Sequence, residues 1–236
     1  MLVVATLYLK GGSGKTTMSV NLAAAAHFDG LSTLIIDADT QGSAFAWSIK
    51  RREGSTLDGL AVARADKPLR AARFAELARG RDVVVIDGPA RQRDVTESSA
   101  FLADVVLVPI CPGPYDFWSV DDTLEVLNRA DELREDAGRP PARRLFVLNR
   151  ASSRTRLSRT AEVELSTQNG GTFAGVVRNR VAFGERALVG ESVFGLASAK
   201  EAADEITSLW KAVKGEKRLN GKRTKGRAAE TTHQEA

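Results

Sequence analysis

Residues 10–17 read KGGSGKTT, with three glycines and two lysines within eight positions. Gly11, Gly12 and Gly14 let the backbone curl until successive N–H groups face one point, an arrangement suited to a phosphate. Lys15 adds an ammonium for the terminal phosphates, and the hydroxyl of Thr16 completes the shell of a Mg²⁺ ion. A chance glycine turn is a poor account of this run, because it joins an apolar strand pattern to a helical one. The run also departs from G-x-x-x-x-G-K-[ST]: that spacing requires glycine at position 9, where the chain has Leu9. Lys10, ahead of the glycines, has no role in the ordinary pattern.

Two further stretches supply carboxylates. LIIDADTQGSA carries Asp37 and Asp39, and VVVIDGPA carries Asp87 after a run of β-branched residues. Side chains alternate along a strand, so Asp37 and Asp39 share a face and approach a metal and an attacking water together. Asp87 is placed to hold the metal through water. A single aspartate at a strand end is as well explained by a helix cap or a turn. Three of them beside a phosphate loop favour metal and water handling.

These groups need elements that bring them to one edge. Apolar runs at 2–9, 32–39, 82–88, 104–110, 144–150 and 172–177 have strand length and are apolar on both faces. Helical periodicity covers 15–29, 43–52, 69–79, 92–102, 117–137, 155–168 and 199–214, with Gly138, Pro140, Pro141, Gly170 and Gly171 as stops. The β-α-β-α order predicts an α/β fold: a doubly wound, mostly parallel sheet with helices on both faces, as in P-loop NTPases. Ligands of such sheets bind where strands end and helices begin. The expected organisation is one domain over 1–214 and a basic, disordered tail over 215–236.

The chain has 34 basic and 30 acidic residues, and the charge is unevenly spread. Residues 215–236 hold six basic and three acidic side chains, which leaves a nearly neutral body. Between Ala137 and Ala161 stand Arg139, Arg143, Arg144, Arg150, Arg154, Arg156 and Arg159, without one acid. Such a zone is either a solvated face or a contact for a polyanion. The single Cys111 excludes a disulfide framework and a chelating cysteine cluster. The apolar start MLVVATLYL reads as a first strand, not as a signal peptide, and no apolar run is long enough to cross a membrane.

In this order and spacing, KGGSGKTT, DADTQGSA, VVVIDGPA and DVVLVPICPGPYDFWS resemble the ParA family of deviant Walker A ATPases. The likeness is to its short ParF-like members, which lack an N-terminal DNA-reading domain. RLFVLNR and RNRVAFGERALVGESVF extend it over about residues 2–210. The loop alone is shared with MinD and the nitrogenase iron protein, whereas the full set is more specific.

The resemblance implies an ATP-dependent switch in which two subunits close around two ATP molecules. It assigns Lys10 as the lysine that reaches the partner's nucleotide and Asp39 as the residue governing hydrolysis. Lys10, Gly11, Gly12, Ser13, Gly14, Lys15, Thr16 and Thr17 would surround the phosphates. Asp37 lies nearby, Asp87 is the Walker B acid, and Asn149 matches a position that contacts adenine. Thr16, Asp39 and Asp87 would serve the Mg²⁺. Relatives usually have proline where this chain has Thr40. The segment 112–118 is read equally well as a proline turn or as part of the nucleotide and dimer face.

The resemblance further implies a cytoplasmic, nucleoid-associated protein whose ATP-bound homodimer coats non-specific DNA. Arg178, Arg180, Arg186 and Lys200 fall in the stretch similar to the family's DNA-contacting region, and each is equally readable as ordinary surface charge. Slow hydrolysis would be stimulated by a small ParB- or ParG-like protein or a cargo adaptor. The implied cargo is a plasmid or chromosome segment; the alternatives are protein cargo such as chemoreceptor clusters or carboxysomes, or a metabolic ATP-dependent enzyme on the same scaffold. Membrane targeting as in MinD is disfavoured, because Leu219 is the one large apolar residue after position 214.

Overall fold

Seven strands form a single parallel sheet in the order β3-β2-β4-β1-β5-β6-β7. The computed structural model describes residues 1–65 and 67–215, so the expected tail lies outside the described residues apart from Gly215. The elements run β1 (Leu2–Thr6), α1 (Lys15–Phe28), β2 (Thr33–Asp37), α2 (Ser43–Ser48), β3 (Ala61–Arg64), α3 (Ala71–Leu77) and β4 (Val83–Asp87). They continue α4 (Arg93–Leu102), β5 (Val105–Ile110), α5 (Pro114–Phe117), α6 (Val120–Asp136), β6 (Arg143–Ala151), α7 (Arg156–Thr167), β7 (Thr172–Arg178), α8 (Val181–Leu188) and α9 (Lys200–Lys214).

Strands β2, β4 and β5 are buried along their whole length, as runs apolar on both faces must be. Alternate side chains enter two cores. Val3, Ala5, Val84 and Ile86 pack with residues of α3, α4, α6 and α7, while Val4, Val83 and Val85 pack with α1, α2 and α9. Helix α1 is buried from Met18 to Ala26, so its alanines let it lie close against the sheet.

Four differences from the sequence-based expectation have local causes. Strand β2 stops at Asp37 because the Asp37 carboxylate accepts the N–H groups of Asp39 and Phe45 and turns the chain out of the sheet. The helix expected over 117–137 is two pieces, α5 and α6, hinged at Trp118 and Ser119. Strand β3 is a short, half-exposed edge strand ending in arginine, too brief to register as a pattern. Helix α8 has eight residues with Gly184 in its middle, which hides its period.

The basic zone divides at the far end of the sheet, where the strands begin. Arg134 is 2% exposed; its Nε donates to Pro140 O at 2.8 Å and its Nη1 to Phe101 O at 2.7 Å and Ala103 O at 2.6 Å. Arg139 donates to Phe101 O at 2.9 Å, Arg143 to Val213 O, and Arg144 pairs with Asp131. Arg134, Arg139 and Arg143 tie α4, α6 and α9 together through backbone carbonyls, and Arg144 bonds α6 through a carboxylate. Arg134→Met keeps the aliphatic volume but takes the arginine donor from the Pro140 and Ala103 carbonyls, while Phe101 O keeps Arg139. It should lower the unfolding free energy by about 3 kcal/mol, read as a shifted urea midpoint at unchanged slope.

Candidate phosphate and nucleotide site

The other end of the sheet carries the chemistry. Strand β1 sits between β4 and β5, and its carboxyl end leads into the glycine loop. Register sets Thr6 beside Asp87 and Asp37 beside Asp87 on the neighbouring strands. Gly14 caps α1 in a left-handed conformation with φ 89°, and a methyl there would run into the Asn149 amide. That close approach is made from the other side as well: Asn149 Nδ2 donates to Ser13 O at 2.6 Å.

Lys15 is almost fully buried, and its Nζ donates to Lys10 O at 3.1 Å. Burial lowers its pKa, against the opposing pull of the Asp87 and Asp39 carboxylates. Asp87 has no exposed surface. Its Oδ2 accepts from Thr16 Oγ1 at 2.8 Å and its Oδ1 from Ser19 Oγ at 2.9 Å. Burial pushes its pKa up to about 7, although both hydroxyls and Lys15 favour the charged form. A buried ammonium therefore stands in the field of a buried carboxyl whose oxygens accept from the hydroxyls of Thr16 and Ser19.

Asp37 and Asp39 do not act as a matched pair. Asp37 is fully buried, with Oδ1 accepting from Asp39 N at 3.2 Å and Oδ2 from Phe45 N at 2.8 Å. Its carboxylate holds the loop that leads into α2. Asp39 lies beyond the strand, half-buried, where its Oδ1 accepts from Gln41 N at 2.9 Å. Thr40, in the proline position of relatives, accepts from Gln92 Nε2 at 3.2 Å through its hydroxyl and from Arg64 Nη2 at 3.2 Å through its carbonyl.

Lys10 points away from the cradle. Its Nζ is 2.8 Å from Asp116 Oδ2 on α5, and the fully buried Tyr8 donates its hydroxyl to Asp116 O. Burial, with the Asp116 charge second, raises the Tyr8 pKa and keeps that hydroxyl a donor. The segment 112–118 is thus both a proline turn and a partner of Lys10. Thr17 and Asn149 line a cavity of about 500 Å³ with Arg150, Asn179 and Phe183. That volume suits a base and its sugar.

Does this set fit a nucleotide and Mg²⁺? The Ser13 hydroxyl is buried without a hydrogen-bond partner, and positive φ at Gly12 and Gly14 gives the curled backbone a phosphate needs. Among the described residues no cluster of three or more His, Cys, Asp or Glu side chains could hold a metal alone. A hydroxyl and a carboxylate, with phosphates and waters to complete the shell, are instead the donor set Mg²⁺ uses. The residues fit.

The CobQ/CobB/MinD/ParA nucleotide binding domain matches residues 4–193. The chain belongs to this family. Over 209 residues it is 28% identical to the maintenance of carboxysome distribution protein A of Halothiobacillus neapolitanus, covering 87% of this chain and 93% of the relative. It is also 28% identical to the chromosome-partitioning ATPase Soj of Thermus thermophilus, over 78% of this chain and 84% of Soj. A solved ATP complex of a Cyanothece McdA variant superposes with a TM-score of 0.74 over 93% of this chain and 98% of that one, at 16% identity, and so shares the fold. Among MinD/ParA-family NTPases, nucleotide binding and hydrolysis are the general activity. Among the described residues no helix is long and apolar enough to cross a membrane.

The four side chains expected to meet DNA all have acidic neighbours. Arg178 Nη1 lies 3.0 Å from Glu205 Oε1, and Arg180 Nη2 lies 2.8 Å from the same oxygen, with Glu201 at its other nitrogen. Arg186 pairs with Glu191 at 3.6 Å and Lys200 with Asp204 at 2.6 Å. Spacing shows the pair Lys200–Asp204, four residues apart on one helix, but not the approach of Glu205 to Arg178 and Arg180. Sequence reading also missed Ser19, one helical turn beyond Lys15, and the link from Asp116 to Lys10.

The Asp87 carboxyl gives a pH test. In the folded chain it releases its proton at about 7, whereas an unfolded aspartate does so at about 4. Folding therefore takes up a proton between those values, and the Asp87 contribution falls as pH rises through that window, then levels off. Without nucleotide, Asp87→Asn should gain thermal stability relative to wild type as pH rises from 4 to 7. Melting curves with a difference independent of pH would contradict a buried, protonated carboxyl.

Proposed function

We propose that this chain is an ATP-driven positioning switch whose two subunits complete each other's sites. The observation that carries this reading is the separation of the two lysines. Lys15 is buried in the cradle, while Lys10, 30% exposed, is turned outward and held by Asp116. When bound, ATP and Mg²⁺ supply the phosphoryl group and the charge that neutralises it. Lys15, the loop N–H groups and the orphaned Ser13 hydroxyl bind the phosphates. Thr16, Asp87 and Asp39 are the oxygens available to the metal and its waters, and Asp39 orients the attacking water. Asn149 and the cavity beside it hold the base. Asp37 keeps the loop that carries Asp39 in place.

Lys10 would leave Asp116 to meet the phosphates of the second subunit's nucleotide. Both arrangements pair the ammonium with an anion, so dimer formation exchanges one ion pair for a stronger one. Slow turnover, raised by a small partner protein, fits a site that is finished only in the dimer. The cargo is read as a protein assembly: the similarity to carboxysome distribution proteins favours it, and the similarity to Soj favours chromosome segregation as the second reading. A nucleoid DNA surface serves as the track in both.

Lys10→Ala should bind ATP with near-normal affinity by calorimetry and remain monomeric in light scattering. An ATP dimer of ordinary stability in that variant would remove Lys10 from the mechanism. Asp116→Asn releases the lysine without removing it, and should dimerise at lower ATP concentration than wild type. A higher ATP requirement would show that Asp116 positions Lys10 for the partner instead of restraining it.

A further inference from the structure

Strand β6 does not run evenly to its end. Between Leu148 and Ala151 it advances three residues while β7 advances two, from Val176 to Arg178. The extra residue is taken up at Arg150, whose φ of 53° lies in the left-handed region. Glycine adopts that conformation freely, whereas an arginine held there is strained. An extra residue of this kind beside a site re-aims a side chain.

The re-aimed side chain enters the cavity beside Asn149. Neighbours along an extended strand point to opposite faces. Asn149 and Arg150 nonetheless line the same space of about 500 Å³, together with Thr17, Asn179 and Phe183. Arg178 and Arg180 reach it too, but Glu205 and Glu201 hold them. Arg150 is exposed, and its guanidinium has no hydrogen bond or ion pair among the described residues. Burial raises the pKa of the Cys111 thiol, and the Arg150 charge opposes that rise. Cys111 Sγ lies 3.9 Å from Ser13 O, so the guanidinium acts within reach of the phosphate loop.

No other exposed arginine shares this setting. Arg52, Arg70 and Arg79 also lack an ion pair, but their φ is not left-handed. Arg91 has a left-handed φ of 61° and lines a different cavity, with Lys10, Tyr115 and Trp118.

We infer that Arg150 is a nucleotide-binding residue whose planar guanidinium covers the face of the base, with Phe183 as the second planar wall. This assignment rests on the proposed reading of the cavity as the base site. A guanidinium is weakly hydrated and stacks on aromatic faces, so it holds a base without reading its edges. Asn149 is already committed to Ser13 O through its Nδ2. The left-handed backbone sets a planar cation beside that fixed amide, where an extended residue would send its side chain to the other face.

The test compares ATP with inorganic tripolyphosphate, which has the phosphates and no base, by calorimetry on the full chain with Mg²⁺. Wild type should bind ATP more tightly than tripolyphosphate. Arg150→Gly suits the left-handed φ and should melt close to wild type. It should bind ATP about tenfold more weakly and tripolyphosphate equally well. Arg150→Lys keeps the charge without the plane and should recover only part of the loss. Unchanged ATP affinity in Arg150→Gly would overturn the assignment. An equal loss for both ligands would overturn it too, because Arg150 would then be a phosphate ligand. Wild type that holds the two ligands equally would instead overturn the reading of the cavity as a base site, and wild type that binds neither would overturn the nucleotide reading as a whole.

Discussion

A carboxyl group with no exposed surface, at the end of a central strand, is the constraint around which the phosphate site is arranged. Burying an ionisable group costs free energy unless its oxygens are satisfied or its proton is kept. Asp87 does both: Thr16 and Ser19 donate to its two oxygens, and its pKa rises to about 7. Both donors come from the first two turns of α1. The hydrogen bonds therefore pin the helix N-terminus against β4 and fix where the glycine loop must pass. Lys15, one position before Thr16, is then buried in the same place, and its charge is offset by the Asp87 and Asp39 carboxylates. A change at Asp87 would thus reach Thr16, the loop and the packing of α1 together.

The same logic separates the two ends of the sheet. Where strands begin, charged groups are spent on structure: Arg134 closes three carbonyls, and Arg144 is paired with Asp131. Where strands end, loops leave polar groups open, and the open groups face outward or into cavities. Some charged groups there are paired nonetheless: Lys10 with Asp116, and Arg178 and Arg180 with Glu201 and Glu205 of α9, which reach over to them. Those two arginines clamp α9 to the end of β7, so their contribution is to position a helix.

Much of this was legible in sequence, for physical reasons that differ by element. Central strands announce themselves because burial on both faces demands uninterrupted apolar residues, as in VVVID and VVLVPI. The phosphate loop was legible because Gly14 faces two constraints at once, a left-handed φ and the approach of Asn149. Edge strand β3 and helix α8 are short and only partly buried, so neither leaves a period to read. Ion pairing is harder still. Glu205 stands 27 positions from Arg178, and nothing in their spacing says that α9 folds back across β7. The acidic neighbours of Arg178 and Arg180 were therefore out of reach of a sequence reading, whereas the strand-to-helix junction at the glycine loop was not.

Lys10 shows how far a charge can be understood from its surroundings alone. An exposed lysine gains little from one surface ion pair, since solvent screens it and its side chain must be ordered. Asp116 is a better partner than most, because Tyr8 holds its carbonyl from the core and the short helix around it is thereby anchored. The ammonium is consequently kept close to, but outside, the cradle in which Lys15 is enclosed. The proposed contact with a second subunit's nucleotide starts from that position, with the ammonium already paired to one anion that another could replace. Two lysines five residues apart thus differ in burial and partner: one is enclosed with the Lys10 carbonyl, the other is half-exposed and held by a carboxylate from α5.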